Sequence, residues 1–93
     1  MEFEFDPEKR TLTLRYRQLD MADACEAFSG KNLTFPDVRF DYGEKRFVTV
    51  GYLNRRMVVL AWTDRGGRIR IISLRKANAR EQKKYAPDLR SDG

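Results

Sequence analysis

The sequence predicts a single α+β domain with an antiparallel sheet of about four strands, two N-terminal helices and one C-terminal helix. The chain has 93 residues, of which 41% are hydrophobic, and this composition suffices for one compact core. Apolar residues follow helical spacing in the first third of the chain, whereas residues 47–76 have the composition of strands separated by short turns. We expect the domain to span residues 1–87 and residues 88–93 to form a flexible tail.

A short strand and a helix are expected at the N-terminus. Phe3 and Phe5 alternate with glutamates, which is typical of a strand with one buried face. Asp6 suits the N-cap and Pro7 the first position of a helix that continues to about Gln18. The apolar side of this helix is predicted to consist of Leu12, Tyr16 and Leu19.

A second helix is expected after Asp20, which is a favourable N-cap residue. Its apolar stripe is predicted to consist of Met21, Ala24, Cys25 and Phe28. We expect Cys25 to be a small core residue, because a nucleophilic cysteine needs a nearby base such as histidine and the chain has none. One cysteine and no histidine also argue against a disulfide and against a metal site, so no cofactor is expected.

The middle of the chain predicts the sheet, and the end of the chain predicts the last helix. In chain order we expect an edge strand interrupted by Pro36, a charged turn at 41–46, and strands at 47–53, 57–63 and 68–76, joined by turns at 54–55 and 64–67. The strand at 57–63 is the most apolar and should be central. The last helix should begin near Asn78, which has capping-box spacing with Glu81, and end by Pro87.

The positive charge is concentrated in the second part of the chain. Residues 1–54 carry 8 Lys/Arg and 10 Asp/Glu, for a net −2, and residues 55–93 carry 11 and 4, for a net +7. This segregation favours a basic face that binds a polyanion, although the charges of an ordinary surface also cluster by chance. The acidic N-terminus does not resemble a signal peptide, and no apolar run approaches the length of a membrane span, so a cytoplasmic protein is expected.

The last predicted strand carries a row of arginines suited to bind phosphate. Arg68 and Arg70 share one face of this strand because side chains alternate, and the intervening isoleucines point to the core. Arg75 and Lys76 end the strand where a helix is expected to begin. Arginine offers a planar fork of donors that matches phosphate oxygens. The candidate RNA-binding residues are Arg65, Arg68, Arg70, Tyr42, Trp62 and Tyr85, with the tyrosines and the tryptophan as base-stacking groups. For Trp62, which ends an apolar run, a place in the core is the favoured alternative.

Cleavage of RNA by its own 2′ hydroxyl needs a base, charge stabilisation at the phosphate and a proton donor. Because the chain has no histidine, the base would be a carboxylate, a tyrosine or a lysine of lowered pKa. Asp41, Glu44 and Glu81 are the carboxylate candidates. Each has an ordinary alternative, as a turn residue, a solvated charge and a capping-box partner respectively. The sequence therefore predicts a binding surface more clearly than an acid and a base.

Two segments carry a resemblance to a known family. The first is the run from Phe40 to Gly51, which contains the Asp-Tyr-Gly-Glu turn, and the second is the Ile-Ile-Ser-Leu-Arg-Lys-Ala segment at 71–77 with its continuation to Glu81. Together with Trp62 and the residues around it, they resemble the BrnT toxins of type II toxin–antitoxin systems. Many members carry Lys-His-Gly at the end of the first helix, where this chain has Tyr-Arg-Gln at 16–18, so a mechanism that depends on that histidine does not apply here.

The resemblance implies a RelE-like ribonuclease toxin that cleaves RNA without a metal and inhibits translation. It further implies neutralisation by a BrnA-type ribbon-helix-helix antitoxin, with operator DNA bound only through that antitoxin, which would occupy the basic face. The residues implied as catalytic are Arg75, Lys76, Arg80 and Glu81. A nucleic-acid-binding module without catalysis and a degenerate toxin that acts only through its antitoxin remain the alternatives.

Overall fold

The computed structural model describes residues 2–89 and has the predicted order of elements. The strands are β1 (Phe3–Phe5), β2 (Leu33–Asp37), β3 (Arg46–Leu53), β4 (Arg56–Arg65) and β5 (Arg68–Lys76). The helices are α1 (Pro7–Arg17), α2 (Cys25–Ser29) and α3 (Ala79–Leu89), and a 3₁₀ turn at Met21–Asp23 precedes α2. The α+β class is therefore confirmed. None of the helices within residues 2–89 is long and apolar enough to cross a membrane.

The sheet has five strands in the order β1-β5-β4-β3-β2 and is mixed, not a purely antiparallel sheet of about four strands as predicted. β2 to β5 form the expected antiparallel meander, with β4 at its centre and β2, which contains Pro36, at its edge. β1 adds a fifth strand that runs parallel to β5, with Phe3 opposite Ile69. The strand that pairs with a three-residue strand is decided by contacts distant in sequence. The alternation of Phe3 and Phe5 with glutamates therefore predicted a strand but not its partner.

Both hairpin turns that join β3, β4 and β5 follow the predicted chemistry. Asn54 and Arg55 have φ of 50° and 67°, and Gly66 and Gly67 have φ of 60° and 85°. Two consecutive residues of positive φ are typical of the type I′ turn, whose twist matches that of the strands it joins. The carboxylate of Asp64 accepts a hydrogen bond from the Gly67 amide at 2.9 Å and closes the second turn.

The two faces of the sheet carry separate cores. The face covered by α1, the 3₁₀ turn and α2, here the α1–α2 face, buries Leu19, Met21, Ala24, Ala27, Leu53, Val58, Leu60, Ile69, Ile71 and Leu74. The opposite face, here the α3 face, buries Val50, Met57, Val59, Ala77 and Leu89. A Cβ added to Gly51 of β3 would lie 2.6 Å from the backbone oxygen of Ala27, so this glycine allows α2 to pack directly on the sheet.

A β-bulge in β5 decides which face its arginines occupy. Trp62 of β4 pairs with Ile71, whereas Ala61 pairs with Ser73, so Ile72 has no partner in the ladder. The extra residue shifts the alternation by one position. As a result Leu74 joins Ile71 on the α1–α2 face, while Ser73 and Arg75 lie on the α3 face together with Arg68 and Arg70.

The predicted apolar sides of the first two helices are partly wrong. In α1 the buried residue is Thr13, whereas Leu12 is 51% and Tyr16 is 71% exposed. Helix α1 packs against the sheet through the side that carries Thr13, so Leu12 and Tyr16 on its other side stay exposed. Cys25, predicted as a core residue, is exposed, because the 3₁₀ turn that precedes α2 places Ala24 and Ala27 inward instead.

Helix α3 extends beyond its predicted end. It contains Pro87 and continues to Leu89, which is buried on the α3 face. The first two residues of the expected tail at 88–93 are therefore the last two residues of α3. The remaining part of that tail, 90–93, lies outside the described residues.

Candidate nucleic-acid interface

The part of the α3 face that α3 leaves uncovered forms a cleft of about 320 Å³, here called the β2–α3 cleft. Its floor consists of the middle of the sheet, with Val48, Ala61 and Ser73 from three adjacent strands. One wall is the end of β2 and the segment after it, and the other wall is the first half of α3. The polar groups that line the cleft are Asp37, Arg39, Ser73, Arg75, Glu81 and Tyr85.

On the α3 wall, Arg75 and Glu81 form a bidentate ion pair. The Arg75 guanidinium donates from Nη1 to Glu81 Oε1 at 2.7 Å and from Nη2 to Oε2 at 2.8 Å. These hydrogen bonds raise the pKa of Arg75 and, as the largest cause, lower the pKa of Glu81 to about 2. The pair is therefore ionised at any physiological pH, with the guanidinium held in one plane at the cleft.

The same carboxylate belongs to the capping box of α3, as the sequence predicted. Asn78 Oδ1 accepts a hydrogen bond from the Glu81 amide at 2.8 Å, and Glu81 Oε1 accepts one from the Asn78 amide at 2.9 Å. The start of α3 is thus fixed to the end of β5 through a single side chain. Since Glu81 is anchored by the backbone as well as by Arg75, it positions the guanidinium rigidly.

On the β2 wall, Asp37 and Arg39 form a second bidentate pair. Arg39 Nε and Nη2 donate to the two carboxylate oxygens of Asp37, each at 2.9 Å. The side chain of Asp37 is only 3% exposed and also accepts a hydrogen bond from the Tyr42 hydroxyl at 3.2 Å. Its pKa is lowered to about 2, chiefly by the hydrogen bonds from Arg39. Asp37 is thus a buried anchor for a guanidinium that is itself largely exposed to solvent.

The two guanidinium groups act on each other across the cleft. The positive charge of Arg39 opposes the rise in the pKa of Arg75, so the two cations are near enough to repel each other. Arg39 uses two of its five N–H donors for Asp37. Arg75 uses two for Glu81 and a third for the backbone oxygen of Lys76 at 3.5 Å, so both guanidinium groups keep donors for a further acceptor. A dianionic or polyanionic ligand between them would relieve this repulsion.

An aromatic pair joins the two walls of the cleft. The ring of Tyr85 stacks on Phe35 with a centroid distance of 6.2 Å and an interplanar angle of 23°. Phe35 lies on edge strand β2 and is partly exposed. Flat rings beside a pair of guanidinium groups suit a nucleotide, whose base stacks and whose phosphate accepts hydrogen bonds.

The predicted row of arginines is divided between two places. Arg68 Nε lies 2.8 Å from Glu2 Oε2, and Arg70 Nη1 lies 3.4 Å from Glu4 Oε1. Both arginines are thus paired with glutamates in or directly before β1, the strand whose partner was not predicted. Arg68 and Arg75 are seven residues apart on one strand, a distance of roughly 20 Å at the usual rise. The arginines predicted on the last strand therefore do not form one phosphate-binding surface, and of Arg68, Arg70 and Arg75 only Arg75 lines the β2–α3 cleft.

The other predicted site residues surround the cleft or lie away from it. Lys76 follows Arg75 in β5 and, two residues after Leu74, points to the α1–α2 face. Arg80 and Arg65 are exposed, on α3 and at the end of β4, and neither lines the cleft. Trp62 packs on the α1–α2 face, where its indole donates a hydrogen bond to Thr49 at 2.8 Å. Trp62 is thus half-buried against the core, in line with the favoured alternative to base stacking.

The charged turn after β2 has structural roles that match its ordinary alternatives. Asp41 accepts a hydrogen bond from the Gly43 amide at 3.0 Å, and Glu44 pairs with Arg46 at 3.1 Å. The Arg46 guanidinium lies 4.1 Å from the centre of the Tyr42 ring. Tyr42 thus contacts Asp37 through its hydroxyl and Arg46 through its ring, and it does not line the β2–α3 cleft.

The sequence reasoning missed Asp37, Arg39, Ser73 and Phe35. A signal was present for the first two, because an acid and an arginine two residues apart directly after an edge strand suit a local ion pair. Their proximity to Arg75 depends on the sheet order, which places β2 and β5 on either side of β3 and β4. Within residues 2–89 no group of three or more His, Cys, Asp and Glu side chains has the arrangement of a metal site.

Comparison of the sequence with known protein families finds one match. The sequence profile of the family described as "Ribonuclease toxin, BrnT, of type II toxin-antitoxin system" matches residues 5–81. The matched region includes both walls of the β2–α3 cleft up to Glu81. No curated protein matches the chain significantly.

Proposed function

The chain belongs to the BrnT family of ribonuclease toxins of type II toxin–antitoxin systems, and we propose that it binds single-stranded RNA in the β2–α3 cleft and cleaves it there. The observation that carries the proposal is the pair of guanidinium groups, Arg39 and Arg75, each fixed by a bidentate carboxylate within one cleft. Two rigid, permanently charged forks suit a phosphodiester better than a neutral ligand.

The proposed chemistry uses these cations to stabilise charge. The 2′ oxygen of the RNA attacks the adjacent phosphorus, the bond to the 5′ oxygen breaks, and a 2′,3′-cyclic phosphate and a 5′ hydroxyl result. One proton passes from the 2′ hydroxyl to water and another from water to the leaving oxygen. Arg75 and Arg39 hydrogen-bond the phosphate oxygens, on which negative charge accumulates in the transition state. Electrostatic preorganisation, in which charges and dipoles are already fixed where the transition state needs them, is commonly the largest contribution to such catalysis.

The carboxylates have a different role in this proposal. Glu81 and Asp37, each with a pKa of about 2, are too weakly basic to accept a proton efficiently at neutral pH. They act as positioning residues for the two guanidinium groups. Tyr85, stacked on Phe35, provides the surface for a base. Arg80, which is exposed on the helix that forms one wall, adds to the positive field that steers RNA toward the cleft. Lys76 and Arg65 lie on the opposite face and at the far end of the sheet and have no role at the cleft in this proposal.

Family membership implies an antitoxin and an RNA substrate, and we propose the finer assignments that follow from the resemblance. The chain is a RelE-like toxin that acts in the cytoplasm and inhibits translation by cleaving RNA. A BrnA-type ribbon-helix-helix antitoxin neutralises it and recruits the pair to operator DNA. The reaction needs no metal, because the guanidinium groups supply the positive charge that a metal would supply.

One observation favours a second function, RNA binding without cleavage. Both carboxylates of the cleft have lowered pKa values, so the described part of the cleft offers no carboxylate base tuned to neutral pH. A binding module or a degenerate toxin has no need of such a base. Cleavage assays separate the two functions directly.

The test is primer extension on RNA incubated with the purified protein. We expect new 5′ ends with the parent protein and a loss of at least about 100-fold in rate with Arg75→Ala, as for removal of one donor from a charge-stabilising site. Arg80→Ala should weaken cleavage less, since its side chain does not line the cleft. In cells, growth arrest should follow the same order. RNA binding by the parent protein without any new 5′ end, in the presence and absence of EDTA, would establish the second function instead.

A further inference from the structure

Helix α1 exposes two large apolar side chains next to each other, on the face of the sheet opposite the β2–α3 cleft. Leu12 and Tyr16 lie one turn apart on one side of the helix and are 51% and 71% exposed. The helix contacts the sheet through a different side, on which Thr13 is buried. A cluster of exposed leucine and tyrosine on a small domain is typical of a protein-binding surface, since apolar atoms gain by leaving water.

These residues border a groove of about 430 Å³ between α1 and β5, here called the α1 groove. It is lined by Lys9, Leu12, Thr13, Tyr16, Arg17, Met21, Ile72 and Ser73. The groove exists because β1 pairs only with residues 69–71 of β5, so no strand covers β5 beyond the bulge. Ser73 lines both the α1 groove and the β2–α3 cleft, so a chain lying in the groove reaches the cleft across the open edge of β5.

The charge of α1 selects the kind of partner. The helix carries Glu8 as its acid and Lys9, Arg10, Arg15 and Arg17 as bases. Arg10 is occupied by Asp20 at 2.7 Å, and Arg17 donates to the backbone oxygen of Leu74 at 2.9 Å. Lys9 and Arg15 form no ion pair with any carboxylate in the described part of the chain. Lys9 lines the α1 groove, and the Arg15 guanidinium lies 5.9 Å from the centre of the Tyr16 ring. A partner with acidic residues around an apolar stripe would complement this surface.

We propose that the α1 groove is the anchoring site for an acidic, amphipathic helix of a protein partner. Under the proposed function that partner is the antitoxin, and only its identity rests on that function. The helix of the partner packs on Leu12 and Tyr16. The partner segment that adjoins this helix passes over Ser73 and obstructs the β2–α3 cleft. Tyr16 and the nearby bases would suit RNA as well, but the half-exposed Leu12 is an apolar group that a protein side chain covers and RNA does not. A second copy of the chain would bring a second set of bases against the first.

The experiment measures binding of the purified antitoxin of the same operon to the full-length toxin by isothermal titration calorimetry. The test variant is Leu12→Ser with Tyr16→Ser, and a second, independent variant is Lys9→Glu. Leu14→Ser is the matched control, because Leu14 is exposed on the same helix but lines a different surface. Circular dichroism and thermal melting establish that each variant is folded, which we expect because all of these side chains are exposed.

We expect the double variant to raise the Kd for the antitoxin at least about 30-fold, the effect of losing a central apolar contact, with at most a twofold change for Leu14→Ser. Lys9→Glu should raise the Kd and reduce its salt dependence. The double variant should still cleave RNA and arrest growth but escape neutralisation. An unchanged Kd in both variants would overturn the proposal.

Two further outcomes would overturn it in favour of another occupant. One is a loss of affinity for a single-stranded RNA 20-mer with the antitoxin Kd unchanged. The other is conversion of a parent dimer to a monomer in sedimentation equilibrium with the antitoxin Kd unchanged. A parent protein that binds antitoxin but never cleaves RNA would refute the proposed function alone, since the binding comparison is independent of activity.

Discussion

Replacement of Arg75 by lysine is the most informative single perturbation of the β2–α3 cleft. The substitution retains the positive charge but replaces a planar fork by a point charge. Lysine cannot make both parallel hydrogen bonds that now join Arg75 to Glu81 at 2.7 and 2.8 Å. Its ammonium group will therefore sit in a less defined position, and it will lack the remaining planar donors that the proposal assigns to the phosphate.

The expected magnitudes separate activity from stability. The ion pair is partly exposed, with 42% of the Arg75 side chain and 21% of the Glu81 side chain accessible, so its loss should cost at most about 1 kcal/mol of folding free energy. Loss of one charge-assisted hydrogen bond in the transition state costs about 1.5–3 kcal/mol. That cost corresponds to a rate reduction of about 10- to 100-fold, in a protein that remains folded.

The assay is single-turnover cleavage of a labelled RNA, with the thermal midpoint and the RNA affinity measured on the same samples. Arg68→Lys is the matched control: Arg68 lies on the same strand and also pairs with a carboxylate, but roughly 20 Å from Arg75. We expect the control to cleave within about twofold of the parent. Equal rates for the parent and for Arg75→Lys would refute the idea that a fixed guanidinium fork performs the chemistry. Equal losses in both variants would show that the effect is not specific to the cleft and would also refute that idea.

Three further predictions concern the scaffold. Gly51→Ala should destabilise the protein by about 1–3 kcal/mol, seen as a lower urea midpoint, because its Cβ would lie 2.6 Å from the Ala27 oxygen; an unchanged midpoint would contradict this packing. The contribution of Asp37 and Glu81 to stability, complete above their unfolded pKa values near 4, should disappear as the pH falls toward about 2; denaturation that is independent of pH in this range would count against it. Trp62→Phe should lower stability by about 1–3 kcal/mol through its lost hydrogen bond and volume while RNA affinity stays constant, and a selective loss of RNA affinity would return this residue to the binding site.

Local chemistry determined most of what the sequence predicted correctly. The turns at Asn54 and Gly66, the capping box at Glu81 and the apolar centre of β4 each depend on neighbours within a few residues. The elements that were missed depend on distant contacts. The parallel pairing of β1 with β5 joins the two ends of the chain, and it consumes Arg68 and Arg70 in ion pairs with β1.

In the candidate site, too, residues close together in sequence were predicted and those brought together by the fold were missed. Arg75 and Glu81 were identified because they lie on the continuous segment at 71–81 that also carries the family resemblance, whereas Tyr85 was named as an aromatic near the basic surface. Asp37 and Arg39 were not, although they form the opposite wall of the cleft, because nothing in their local sequence states that β2 lies across the sheet from Arg75. Amphipathic spacing likewise misplaced Leu12 and Tyr16, which fit a helical stripe but face solvent. Apolar residues at helical spacing predict that one side of a helix is apolar. They do not predict whether that side is covered by the same chain or by another protein.

The position of the catalytic candidate depends finally on one backbone irregularity. Without the bulge at Ile72, strict alternation from the buried Ile71 would place Arg75 on the α1–α2 face and bury a guanidinium in the larger core. The extra residue transfers Arg75 to the α3 face, where the first turn of α3 supplies Glu81 and the sheet presents Asp37 with Arg39. The same bulge, beyond the end of the short strand β1, exposes Ile72 and Ser73 at the α1 groove. One inserted residue therefore places Arg75 in the charged cleft and Ser73 at the open edge that the short β1 leaves, so under the two proposals above substrate binding and inhibition would depend on one local feature.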